Sequence, residues 1–99
     1  MSTTKEFLTE AIKLIGGDRQ RDYGDKVVNH NNIARLWSAY LDMPIRAHDV
    51  AILMALLKVA RTKLGQVSDD TYVDMSAYSA IAGEIKFRTS KKEKGWTIT

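Results

Sequence analysis

Apolar residues recur at helical spacing in four stretches of the chain, each bracketed by capping residues or breakers. Over residues 4–15, Phe7, Leu8, Ala11, Ile12 and Ile15 form one stripe. Thr3 or Thr4 can cap the orphan amides, Glu6 falls in the favourable first turn, and Gly16-Gly17 supplies a stop. A polar loop, residues 18–25, precedes a second helix expected from Lys26 to Leu41. There Ile33, Trp37 and Leu41 lie four apart, with Ala34, Leu36 and Tyr40 widening the stripe. Pro44 breaks the pattern, because the residue before a proline is pushed out of the helical region. The third helix, expected over residues 48–64, is apolar almost all round, so it should be central and covered by neighbours or by another subunit. Gly65 ends it. Residues 68–70 offer caps for a fourth helix over residues 70–87, where Val73, Ala77, Ile81 and Ile85 are spaced by four. Beyond it no period is sustained, and only residues 96–99 have strand-like composition.

The pattern predicts an all-α fold: a compact four-helix domain over residues 1–87, followed by a basic, weakly structured tail over residues 88–99. Four helices in 99 residues leave the third hard to cover, which points to packing as a homo-oligomer. A chain of this length supports one modest core, not two. Its hydrophobic fraction of 44% and charged fraction of 27% are those of an ordinary globular protein. The absence of cysteine removes a disulfide framework and any thiolate metal site. The N-terminus shows no apolar signal stretch, and the longest apolar run, residues 50–57, is far short of the ~20 needed to span a bilayer. A cytoplasmic protein without a membrane partner is expected.

The net charge of +3 is unevenly placed. From Lys86 onward, Lys86, Arg88, Lys91, Lys92 and Lys94 face only Glu93, which leaves the preceding 85 residues at −1. Nucleic-acid binding needs a basic face on the body. Here the tail supplies the basicity, and it reads as a solvated extension rather than a nucleic-acid arm.

Three clusters stand apart from core and casual surface. In the loop, Arg19, Arg21, Tyr23 and Gly24 lead into a helix N-terminus. Arginine forks and outward-pointing amides make an anion seat there, unless Asp18, Asp22 and Asp25 neutralise the arginines locally. Next come Asn29, His30, Asn31 and Asn32, polar residues in the first turns of the second helix. Asn29 and His30 can read a base or ribose edge by hydrogen bonds, while the alternative for His30 is a satisfied buried histidine. A single histidine without partners offers no metal site. The third cluster sets Lys58 and Arg61, three apart, against Asp70, Asp74 and Tyr78, four apart. Asp74 either pairs structurally with one of those cations or orients it toward a phosphate. Trp37, Tyr40, Met54 and Tyr72 lie at helical spacings among aliphatics, where core or subunit packing is the simpler role.

The order of these elements resembles an uncharacterised family of small helical proteins from phages and prophages. The likeness rests on residues 21–25 (Arg-Asp-Tyr-Gly-Asp), Asn29-His30, residues 34–41, residues 49–51, residues 57–61 with Lys58 and Arg61, and residues 70–78 with Asp74 and Tyr78. It covers roughly residues 18–86. More loosely, the Tyr-Gly turn, the Lys-x-x-Arg helix and the Asp-x-x-x-Tyr helix are similar to phage nucleotide-modification-associated domains and, beyond them, to MazG-like all-α nucleotide pyrophosphohydrolases. Those hydrolases gather acidic residues around magnesium, a cation that wants several hard oxygen ligands. The corresponding helix here carries Lys58 and Arg61 instead.

The resulting expectation is a phage-encoded protein that binds and sequesters a small anionic nucleotide, such as a cyclic dinucleotide or ADP-ribose-type messenger, without turnover. Arg19, Arg21, Lys58 and Arg61 would grip phosphate, Tyr23 and Trp37 would stack a base, and no cofactor or metal is implied. A divergent magnesium-dependent pyrophosphohydrolase using Asp70, Asp74 and Asp49 is one alternative. A small inhibitor acting on a host protein through its tail and Trp96 is the other.

Overall fold

The computed structural model describes residues 2–16 and 25–94, with side chains as far as Arg88. The described residues form four α-helices in the order α1 (Thr4–Gly16), α2 (Lys26–Leu41), α3 (Ala47–Arg61) and α4 (Asp69–Lys94). The fold is all-α. α4 is the longest element and receives both α1 and α3, while α2 packs on α3.

Local chemistry explains most of the helix ends. At α1, Thr3 Oγ1 accepts the Glu6 N–H at 3.1 Å and Glu6 Oε1 accepts the Thr3 N–H at 3.2 Å, a reciprocal capping box. At α2, Asp25 Oδ1 accepts the amides of Val27 and Val28 at 2.7 and 3.4 Å. The helix closes at Asp42, which takes a left-handed φ of 54°, a conformation aspartate tolerates better than most residues. The Met43 N–H then reaches back to the Ser38 carbonyl at 3.2 Å, the wrap expected of such an end.

Two ends differ from the expected ones. α3 stops at Arg61 rather than residue 64, because Thr62 and Lys63 donate to Val59 and Ala60 across three residues and tighten into a turn. Gly65, at φ +90°, completes the reversal. α4 runs seven residues past its expected end, to Lys94. Its charged residues are good helix formers, and Arg88 bonds one turn back to Glu84 at 2.9 Å. Arg88 also donates to Asp25 at 3.2 Å, and Lys26 lies 3.6 Å from Glu84, so charge clasps the start of α2 to α4. Residues 96–99, with their strand-like composition, lie outside the described residues.

The core is built mostly from small side chains. Ala11, Val73 and Ala77 join α1 to α4, flanked by Phe7, Leu14 and Ile15. The Phe7 ring meets Tyr72 edge-on, with centroids 6.3 Å apart. Val50, Ala51, Ala82 and Ile85 are almost completely buried, as are Ala34 and Ala47. Larger apolar residues lie outward. α2 turns His30 and Ala34 inward, whereas Leu36, Tyr40 and Leu41 are exposed, so the stripe expected on this helix is rotated.

The Asp25 carboxyl is held below its ordinary range, first by the Val27 amide and then by Arg88. A lowered folded-state value means its contribution is complete above the unfolded value and fades as pH falls through the folded one. Replacing Asp25 with alanine should cost about 1 kcal/mol near neutrality, the usual worth of such a cap. In urea melts, the gap from the parent chain should shrink as pH drops below about 4.

Candidate functional site

The cations singled out on α3 have different surroundings. Lys58 Nζ lies 3.1 Å from Asp74 Oδ2, with side chains only 17% and 26% exposed. This ion pair joins α3 to α4, and it is the structural pairing considered for these residues. Arg61, at the end of α3, is exposed, and Tyr78, one turn beyond Asp74, is half-buried. His30 is buried, and its Nδ1–H donates to the Lys26 carbonyl at 2.7 Å. A carbonyl only accepts, so this bond fixes the proton on Nδ1. Asn29 is exposed and Trp37 half-buried on the same helix. Arg19, Arg21, Tyr23 and Gly24 lie outside the described residues.

A different set of cations converges at the corner between α2 and α3. A groove of about 740 Å³ opens there, bounded by the second half of α2, residues 45–49 and α4 near Lys86. Ala34, Ala47 and Ile85 form a buried apolar floor, with half-buried Ile45 beside them. Arg35, Arg46 and Lys86 stand around the groove, and none of the three has an ion pair with a carboxylate among the described residues. His48 adds an imidazole, and Asn31 an amide.

The corner is held firmly. Ser38 Oγ accepts the Ile45 N–H at 2.8 Å and donates to the Ile45 carbonyl at 3.1 Å, tying the connection onto α2. Asp49, the one carboxylate in the groove, accepts the Arg46 N–H through Oδ2 at 3.0 Å. Its Oδ1 lies 3.9 Å from His48 Nδ1. Three basic side chains therefore outnumber one carboxylate that is already engaged in capping. The first-turn amides of α3, which have no acceptor within the helix, add positive potential to the same corner.

Sequence reasoning passed over Arg35, Arg46, His48 and Lys86. They come from three elements, and each reads singly as a solvated charge. The one local signal is the spacing of Arg46 and Asp49, an acid three residues past a helix boundary. Among the described residues, no three His, Asp or Glu side chains come together in an arrangement that would hold a metal ion. No helix among them is long and apolar enough to cross a membrane.

The family model for a domain of unknown function, DUF6378, matches residues 6–86, most of the chain and all of its helical body except the start of α1 and the last eight residues of α4. The chain belongs to this family. Among curated proteins, the DUF6378 chain is 43% identical over 76 residues to the Gene 55 protein of Mycobacterium phage L5, covering 76% of this chain and 49% of that one. It is 39% identical over 82 residues to the Gene 55 protein of Mycobacterium phage D29, covering 83% and 54% respectively. The chain thus spans about half the length of these relatives. No solved structure matches it. The resemblance to a phage protein family stands, and the match extends it to α1.

The Lys58–Asp74 pair generates a stability test. Lys58→Met leaves a partly buried carboxylate without its cation and should destabilise the chain by about 1–2 kcal/mol. Adding Asp74→Leu should recover part of that loss, giving a measurable coupling in a double-mutant cycle by urea denaturation.

Proposed function

We propose that this DUF6378 chain binds a small phosphorylated ligand of the nucleotide class in the α2–α3 corner groove and holds it without turnover. The observation that carries this reading is the set of Arg35, Arg46 and Lys86, without ion pairs among the described residues, around an apolar floor. Arginine forks suit phosphate oxygens, and half-buried Ile45, above the buried floor, offers an apolar contact to the face of a base. A volume of about 740 Å³ falls in the range of small-molecule sites.

Binding is favoured over hydrolysis by what the nearby carboxylates already do. Asp74 is paired with Lys58, and Asp49 caps α3. In a phage setting, such a protein would act in the host cytoplasm and withdraw a nucleotide immune messenger, of cyclic dinucleotide or ADP-ribose type, from its receptor. The looser likeness to nucleotide-modification and MazG-like proteins enters only as a pointer to nucleotide chemistry. The loop residues Arg19, Arg21 and Tyr23 remain candidates for a second set of contacts.

Isothermal titration against cyclic dinucleotides, ADP-ribose products and ordinary nucleotides tests this reading. One class should bind, with affinity falling as salt rises. Arg35→Ala and Arg46→Ala should each weaken binding by roughly tenfold or more, as expected for a lost charge-assisted contact. Lys58→Met, whose cation is already paired, should bind within about threefold of the parent chain if it remains folded. Arg21→Ala reports on the loop. Binding unchanged in Arg35→Ala and Arg46→Ala would remove the groove from the account, and no binding across the panel would remove the function. Magnesium-dependent phosphate release would replace binding by hydrolysis.

A further inference from the structure

α3 carries its large apolar residues on the wrong side for a monomer. Its inner face is Ala47, Val50 and Ala51, whereas Ile52, Leu53, Leu56, Leu57 and Val59 are 37–54% exposed. At about 100° per residue, Ile52, Leu53, Leu56 and Ala60 fall on one outward stripe, with Leu57 and Val59 at its edges. No charged residue interrupts that stripe between Asp49 at its start and Lys63 just past its end. The five large side chains leave roughly 300–400 Å² of apolar surface in water, within the range of the largest patch on a typical monomer, which is often functional.

We infer that this face pairs with the same face of a second copy, α3 against α3 in antiparallel orientation, across a twofold axis at Leu56. The sequence is self-complementary about that point. Residues whose numbers are equally distant from 56 meet, so Ile52 faces Ala60 of the partner subunit and Leu53 faces Val59 of the partner subunit. Leu56 packs on its own copy at the axis. Asp49 and Lys63 are each seven residues from Leu56, so both ends of the seam join a carboxylate to an ammonium. Lys63 has no ion pair among the described residues, and the Asp49 side chain is 48% exposed. Antiparallel helix dipoles add to the attraction.

Isologous pairing is the commonest closed assembly, and it needs a patch that complements itself. A standard interface takes about 800 Å² from each partner. The stripe supplies nearly half. Met43, four residues before α3, and Leu64, three residues after it, are exposed apolar residues flanking the helix. This inference does not depend on the groove binding a ligand.

Self-cross-linking gives the sharpest test, because the chain has no cysteine of its own. Under mild oxidation, Leu56→Cys should form a covalent homodimer at least roughly tenfold faster than Leu8→Cys, since a residue on a twofold axis faces itself. Leu8 is also exposed, but on α1. Sedimentation of the parent chain should show a dimer, and Leu56→Asp should sediment as a monomer with unchanged helical circular dichroism. Lys63→Glu, far from the core, should weaken the dimer several-fold, and more at low salt. A parent chain that is monomeric at about 100 µM, or equal cross-linking from the two cysteine positions, overturns the inference. So does a folded Leu56→Asp variant that stays dimeric, which would put the assembly on another surface.

Discussion

Close packing of α3 onto α4 through small side chains governs much of the rest. Val50, Ala51, Ala82 and Ile85 are buried almost completely, and alanine on both helices lets the backbones approach. The price is a core of little volume. Apolar burial is the main favourable term in folding, and a small domain has little surplus over its conformational entropy. Contacts at the periphery therefore matter more than they would in a larger protein. Asp25 and Thr3 cap helix starts, Ser38 pins the α2–α3 connection, and Lys58 bridges α3 to Asp74.

The same corner shapes the groove. Asp42 in a left-handed conformation turns the chain sharply after α2, and Ser38 fixes Ile45 beside that helix. Arg46 is thereby returned to the flank that carries Arg35, while Lys86 arrives from α4. The cations gather because of this turn and not because of any short motif. A pinned connection of this kind sets where the backbones of Arg35 and Arg46 stand, so that binding has to order only their side chains.

Legibility in the sequence followed how local each cause was. The bounds of α2 were readable because Asp25 and Pro44 act on their immediate neighbours. The end of α3 was not, since periodicity continues through Thr62 and Lys63 while the hydrogen bonds have already tightened. Counting apolar residues favoured Ile33, Trp37 and Leu41 as the inner stripe of α2. Burial instead selects the slimmer Ala34 and a histidine satisfied by its own helix. Lys58 and Asp74 were legible as possible partners, because a cation amid apolar residues requires a counter-charge. Arg35, Arg46 and Lys86 carried no comparable signal, being scattered over three elements.

Asp49 lies where these threads meet. Its carboxylate sits within a basic groove, yet capping uses one oxygen on the Arg46 amide and leaves the other 3.9 Å from His48. It lowers the local positive potential without cancelling it, because three cations remain around the groove. Removing it would increase the positive charge but release the first turn of α3, on which the position of Arg46 depends. The acid is better understood as part of the scaffold that aims the cations than as a competitor for them. It also starts the outward stripe of α3, so one short helix presents a charged surface at its origin and an apolar surface along its length. Small residues on the inner face make both possible, by taking up so little of the helix that most of its circumference stays available for contact.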